Sequence, residues 1–461
     1  MATRKTVKRS SSKTAITVDM SRNLGPLRID RYALGQGGLS DRPMIDSHVA
    51  ELRWLKPSVI RLFIQEYFSV YPAHGKYNWK TLDAAVEAIL ATGAKPLMSI
   101  CIKPAVLYPD IHDQDKVHPS DYEEWERLIE EMVRHYNVER RDGIVYWEVF
   151  NEPDIGESGG CPCRFKPEDY CIYYEHTVRA IRRADPNAKV GGPALAGYDS
   201  PILPALLDHC SAGKSPIDFI SWHNYTSDPG HIEKAIRYAK DLLVKHPTLK
   251  CETVLDEWNM SLGWETLDAD FQPCFILETT RRMIENGLGL SCYYHIRDWH
   301  VDNAQFAPFM SARGAAFMTW WWNTNPQFHG LFDFQGALRP AYFAMRMLAM
   351  LEGDRIAVDA SKGTVQALAA FDPSFDTLNV LVWSFDLKRP KSASVTVAVK
   401  NLPGSKWELR RRILNAAAPG NSENDLFPLI ANDKRDTKGA FKESFRLDGY
   451  GATLLLLRRL E

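Results

Sequence analysis

No apolar run in the chain reaches the roughly 20 residues a membrane-crossing helix needs. An excess of charge is missing too: 56 basic against 58 acidic residues leave a formal net charge of -2. That balance gives neither nucleic acid nor an anionic membrane an electrostatic reason to bind. The basic, polar start MATRKTVKRSSSKT lacks the apolar segment of a secretory signal. It reads as a disordered tail over residues 1–14, and cytoplasmic is the expected location, or secreted if a signal has been removed. Metal motifs are absent as well. Of the 8 cysteines only Cys161, Cys163 and Cys171 cluster, without zinc-ribbon spacing and without a matching histidine. A structural metal at this cluster is therefore not expected. The clustered thiols are either free, or Cys171 is bridged to Cys161 or Cys163.

What is present is an ordinary globular composition, 45% hydrophobic and 25% charged, over 461 residues, too many for one ordinary core. The 13 tryptophans suit sugar-stacking walls as well as large cores. From Tyr32 to about Ala349, short apolar runs alternate with amphipathic helical segments. The runs cover 33–37, 59–63, 96–100, 145–150, 189–194, 218–224, 253–258 and 290–296. Between them, a segment from Ser120 carries a capping-box pattern with Glu123, and another starts at Pro167 and stops before Pro186. Eight strand candidates alternating with helix candidates predict an α/β fold, a (β/α)8 TIM barrel, with elaborated loops at 104–119, 155–165 and 298–330. After about residue 354 the pattern turns to strands separated by turn residues, which predicts an accessory C-terminal β-sandwich. The expected division is a barrel over 25–353 and a sandwich over 354–461, with the stretch 15–24 adding a strand to the sandwich.

In such a barrel the chemistry lies at the C-terminal ends of the strands. The fourth run, VYWEVFNEPD, ends in Asn151 and Glu152; the second presents Arg61; the sixth ends with His223 and Tyr225; the seventh carries Glu257. Each alone has a plainer reading: a turn carboxylate, a salt-bridged arginine, a structural histidine. Together at one barrel mouth, two carboxylates are what glycoside hydrolysis needs, one as acid and one as nucleophile or base. Arg61 would support the nucleophile, His223 or Tyr225 would orient it, and Asn151 would bind a sugar hydroxyl. Asp256 competes with Glu257; strict alternation lets only one face the pocket, and Glu257 is nearer the strand end. Asp298, after the eighth run, and His329 are further candidates for substrate binding, with His300 left open. The Trp320-Trp321-Trp322 run is expected to pack, since consecutive residues cannot all face one pocket.

The segments WEVFNEPD, KVGGPALAG, DFISWHNY, VLDEWNM and FHGLFDF…LRPAYFAMRML resemble glycoside hydrolase clan A, and more closely family 39, which holds β-xylosidases and α-L-iduronidases. The resemblance implies that Glu152 is the acid/base and Glu257 the nucleophile of a retaining double displacement, with no metal or organic cofactor. A β-D-xyloside is the leading substrate, with α-L-arabinosides, α-L-iduronides, β-glucosides and β-galactosides as alternatives, and a catalytically inactive carbohydrate-binding barrel as the reading of another class. The expected partner is a glycoside or oligosaccharide; homo-oligomerisation stays open. Two features depart from the family: YYHIRD (293–298) at the eighth strand, and the Gly- and Cys-bearing loop GESGGCPCRF (156–165) directly after Glu152. Arg297 would meet a uronate carboxylate or turn away into a salt bridge, the latter being expected.

Overall fold

The computed structural model describes residues 12–37, 40, 42–263, 269–325, 329–360, 363–420 and 428–460. Most of the expected basic tail, and Phe328, lie outside the described residues. The described residues of 30–265 and 282–337 form one compact unit, and those of 1–29, 266–281 and 338–461 another.

The first unit is a closed barrel of parallel strands, β2 to β9 after the first strand β1 (Ser12–Pro26). They are β2 (Tyr32–Gln36), β3 (Val59–Ile64), β4 (Lys95–Ile100), β5 (Tyr146–Val149), β6 (Lys189–Leu195), β7 (Phe219–Tyr225), β8 (Glu252–Asn259) and β9 (Leu290–Tyr294). β9 closes on β2, with Leu34 opposite Tyr293. All eight coincide with the apolar runs of the sequence. Helices follow the strands, among them Lys80–Ala91, Tyr122–Val133, Pro167–Ala184 and Pro229–Lys245. The Tyr122–Val133 helix is capped by Asp121, whose carboxylate accepts from the amides of Glu123 and Glu124, rather than by Ser120. Asp121 wins because a carboxylate can take two N-terminal amides at once.

Alternation along the strands fills the barrel in layers. Ala33, Val59, Leu97, Tyr146, Phe219, Val254 and Leu290 form an apolar layer. Two residues further along the strands come Arg61, Ser99, Glu148, Ser221 and Asp256, all buried. A charged layer thus sits on an apolar one, directly below the strand ends.

The second unit is a nine-stranded mixed sheet, in the order β15-β14-β17-β12-β11-β10-β1-β13-β16. Its later strands are β10 (Asp354–Ala360), β11 (Val365–Asp372), β12 (Thr377–Ser384), β13 (Ala393–Lys400), β14 (Lys406–Asn415), β15 (Leu429–Asp436), β16 (Phe441–Leu447) and β17 (Gly451–Arg459). One face of the sheet closes over a single core containing Ile16, Val380, Val397, Trp407 and Leu455. The sheet curls until Glu443 of β16, at one edge, pairs with Arg411 of β14 (2.9 Å) and Arg435 of β15 (2.7 Å) at the other. The β-sandwich expected from the sequence is this one curled sheet, and β1 pairs with both β10 and β13 inside it.

Candidate active site

β5 ends where its backbone becomes irregular. Phe150 and Glu152 have φ of 72° and 45°, a left-handed conformation that costs a non-glycine residue about 1–3 kcal/mol and persists where the surroundings enforce it. Here they do. The Glu152 amide donates to Ala194 O (2.9 Å), and its carbonyl accepts from Gly156 N (3.0 Å). Pro153 follows, and the Asp154 carboxylate accepts from Ala196 N and Gly197 N at 3.0 and 3.1 Å. The turn is thereby tied to the end of β6, and Glu152 is aimed into a cavity of about 240 Å³ that Asn151, Tyr225, Glu257 and His329 also line.

Glu257 lies across the cavity on β8. Arg61 Nη1 donates to its Oε1 (2.8 Å), and the Tyr225 hydroxyl donates to its Oε2 (2.6 Å). With a donor on each oxygen, this is the arrangement that suits a carboxylate anion. Arg61 is 1% exposed. Its guanidinium also donates to Glu148 Oε2 (2.8 Å) and to Asn151 Oδ1 (2.6 Å), and lies 3.1 Å from Asp256 Oδ2. Arg61 therefore forms the floor below Glu257 and fixes Asn151.

Asp256 and Glu257 both meet Arg61, which strict alternation forbids. A register shift explains it: Trp222 pairs with Leu255 but the next residue, His223, pairs with Glu257. This bulge inserts one residue and lets two consecutive carboxylates point inward. Glu257 reaches the cavity, whereas Asp256 stays below it in the charged layer.

His223 joins the two sides. Its Nδ1 lies 2.8 Å from Glu152 Oε1 and 3.5 Å from Glu257 Oε2, and its Nε2 lies 3.3 Å from Asp256 Oδ2. Burial works against its imidazolium, but the charges of Glu257 and Asp256 outweigh burial and hold its pKa up. Burial lifts the Glu152 carboxyl above the ordinary glutamate value, with the His223 hydrogen bond pulling the other way. Burial likewise raises Glu148 to about 7, against the pull of Arg61. At Asp256 the balance reverses: burial would raise its pKa, but Arg61 and His223 bring it below the usual value.

Asp298, Arg297 and His300 do not reach the cavity. Asp298 is buried beside it, accepting from Gly330 N and holding His295 Nε2, each at 2.8 Å. Its partner His295 does line the cavity. Arg297 donates to Phe334 O (3.2 Å), and His300 stacks on Phe334; both border a separate groove. Trp321 and Trp322 line the cavity while Trp320 is 60% exposed. The run thus splits between two faces of the helix Ala312–Thr324. Gln65, Tyr294, His295, Trp299 and Met318 also line the cavity; Tyr294 and His295 belong to the YYHIRD stretch noted from sequence. All eight cysteines are free thiols. Cys161 accepts a hydrogen bond from Asn151 Nδ2 (3.2 Å), and its thiol also meets Cys101. Glu152, His223 and Glu257 offer donor atoms within 4.8 Å of one another, the one grouping among the described residues that could hold a metal ion.

Fold and site together are those of a (β/α)8 barrel with two facing carboxylates at its mouth. Residues 58–253 match the family described as Glycosyl hydrolases family 39, a stretch that holds Arg61, Asn151, Glu152, His223 and Tyr225 and stops just before Glu257. The matched stretch of the barrel is similar to that family. The chain is 28% identical over 306 residues to a β-xylosidase of Caldicellulosiruptor saccharolyticus, covering 61% of this chain and 58% of that one. It is 30% identical over 182 residues to a β-xylosidase of Geobacillus stearothermophilus, covering 37% and 35%. The matches thus span less than two thirds of either relative's length. Among solved structures, a monomeric β-xylosidase from Caulobacter crescentus CB15 shares the fold with a TM-score of 0.77 at 20% identity, over 97% of this chain and all of that one. Among the described residues, no helix is long and apolar enough to cross a membrane.

Proposed function

We propose that the protein is a retaining, exo-acting glycoside hydrolase, with a β-D-xyloside as its leading substrate. The observation that carries the reading is the facing pair: Glu152 and Glu257 present oxygens within 4.8 Å of each other. Retaining enzymes hold their two carboxyl groups about 5–5.5 Å apart, and inverting ones about 6.5–9.5 Å, to leave room for water. Glu257, with both oxygens hydrogen-bonded, attacks the anomeric carbon. Glu152, its pKa lifted by burial, protonates the departing oxygen. The same Glu152, now a base, takes a proton from the water that releases the sugar from Glu257. Asn151, fixed by Arg61 at 2.6 Å, is placed to bind a hydroxyl next to the reacting carbon.

The cavity, about 240 Å³, is smaller than the ~300–1,000 Å³ usual for drug-sized ligands, which favours one terminal sugar over an internal stretch of polysaccharide. Among its described lining residues there is no lysine or arginine, which favours a neutral glycone over one carrying a uronate carboxylate. The two curated relatives described above are named β-xylosidases, which supports the choice of pentose.

The test is release of aryl alcohol from a panel of β-xyloside, α-L-arabinosides, β-glucoside, β-galactoside and α-L-iduronide, with Glu257→Ala as the control. Turnover of one neutral glycoside, lost in the variant, is the expected result. A panel with no turnover, or turnover that survives in Glu257→Ala, overturns the reading.

A further inference from the structure

The loop after Glu152 connects the acid to a wall of different chemistry. A Cβ on Gly159 would lie 1.7 Å from Glu152 Oε2, while a Cβ on the next residue, Gly160, would lie 3.2 Å from Met318 Cε and 3.8 Å from Phe306 Cε1. One glycine of the pair thus lies against the acid and the other against Met318 and Phe306. Both belong to an apolar cluster built by the excursion after β9, against which Trp299, Trp321 and Trp322 pack. Met318, Trp321 and Trp322 stand at i, i+3 and i+4 of one helix, so they form a single face toward the cavity.

The acid gives its proton to the oxygen of the leaving group, so the wall beside Glu152 is the wall the leaving group meets. Carbon and sulfur make up most of that wall; beside the glycines stand only the Ser158 hydroxyl and Gln65, whose Nε2 already donates to Gly160 O (2.9 Å). Met318 and Phe306 carry no donor, and the indole N–H of Trp322 already donates to Trp299 O (3.1 Å). A second sugar placed there would exchange its hydration for too few partners, whereas an apolar group would gain by leaving water. The flexible thioether of Met318 adapts to varied apolar shapes.

We propose that the leaving-group side of the cavity is built for an apolar aglycone, a hydrocarbon chain or ring system, rather than for a second sugar. The proposal rests on the glycosidase reading above and specifies its substrate. Removal of such an aglycone is ordinary hydrolysis: the glycosidic C–O bond breaks, water supplies the hydroxyl to the sugar, and the proton from Glu152 goes to the aglycone alcohol.

The experiment compares kcat/KM for methyl β-D-xyloside, hexyl β-D-xyloside and xylobiose, with the glycone exchanged for whichever the aryl panel selects. Methanol and hexanol are of similar acidity, so the hexyl-to-methyl comparison reads contact with the wall. Hexyl glycoside is expected to exceed both others at least tenfold, and the hexyl-to-methyl ratio to fall at least fivefold in a Met318→Ala/Trp321→Ala variant. A ratio unchanged in that variant, or xylobiose turned over as well as the hexyl glycoside, overturns the proposal. Calorimetric titration with methyl and hexyl 1-thio-β-D-xylosides reads the same wall without turnover. At least tenfold tighter binding of the hexyl compound, lost in the variant, supports the wall even if the aryl panel fails; equal affinities refute it.

Discussion

Replacing Gly159 by alanine is the sharpest perturbation the site permits. The new Cβ would lie 1.7 Å from Glu152 Oε2 and 2.8 Å from the carboxyl carbon, where ordinary contact begins at 3.4 Å. Gly159 is not in the left-handed region, so the added methyl acts by volume and not by backbone strain. Glu152 must give way, because it is a side-chain end and the loop is held by backbone hydrogen bonds such as Cys161 N to Gly156 O (3.2 Å). Retreat by more than about 1 Å also breaks the bond to His223, and misplacement of that size can cost roughly 10²-fold in rate. The whole contribution of a general acid is about 10²–10⁴-fold, so a loss of ~10² is expected where protonation matters. It matters for alkyl glycosides and hardly for 2,4-dinitrophenyl glycosides, whose leaving group departs unprotonated. The assay is therefore kcat/KM of wild type and Gly159→Ala on both substrates, with circular dichroism as the folding control. A loss near 10² on the alkyl glycoside and under about tenfold on the dinitrophenyl glycoside is expected. Equal losses on both, or none on the alkyl glycoside, would refute the placement of Glu152 as acid.

Other perturbations reach the remaining parts of the site. Tyr225→Phe removes a 2.6 Å hydrogen bond to Glu257; such bonds to charged groups are worth about 1.5–3 kcal/mol, so kcat should fall roughly ten- to hundredfold, and a change under twofold would count against the role. Glu152 is active when protonated, so kcat/KM should decline as pH rises through its burial-raised pKa. His223 pulls that pKa down, and His223→Leu should move the alkaline limb to higher pH; an unmoved limb would speak against the coupling. Arg61→Met leaves Glu148, Asp256 and Glu257 buried without their shared cation. Breaking such an arrangement typically costs about 3–5 kcal/mol, readable as a lowered midpoint in urea unfolding followed by tryptophan fluorescence, and a loss below about 1 kcal/mol would contradict it.

Much of this was legible in the sequence because barrel strands are short apolar runs with polar ends, and the polar ends are the site. Arg61, Asn151, Glu152, His223, Tyr225 and Glu257 are found there for that reason. What stayed hidden depends on departures from regular geometry or on distant packing. The bulge in β8 that turns both Asp256 and Glu257 inward leaves no mark in the residue pattern. β15, reading LIANDKRD, is mostly exposed and polar, so no apolar run announces it. Asp298 has the right position after β9, but its carboxylate is taken up by Gly330 N and His295. The apolar wall is carried by a helix outside the βα alternation. Its one sequence signal is the i, i+3, i+4 spacing of Met318, Trp321 and Trp322, which by itself reads as ordinary core.

The central claim is that Glu257 bonds to the sugar. It is tested most directly by incubating the protein with 2-deoxy-2-fluoro-β-D-xylosyl fluoride and locating the adduct by peptide mass spectrometry. The account predicts one fluorosugar, on Glu257 and not on its buried neighbour Asp256. An adduct on Asp256, or no adduct on a protein that hydrolyses dinitrophenyl xyloside, would contradict it.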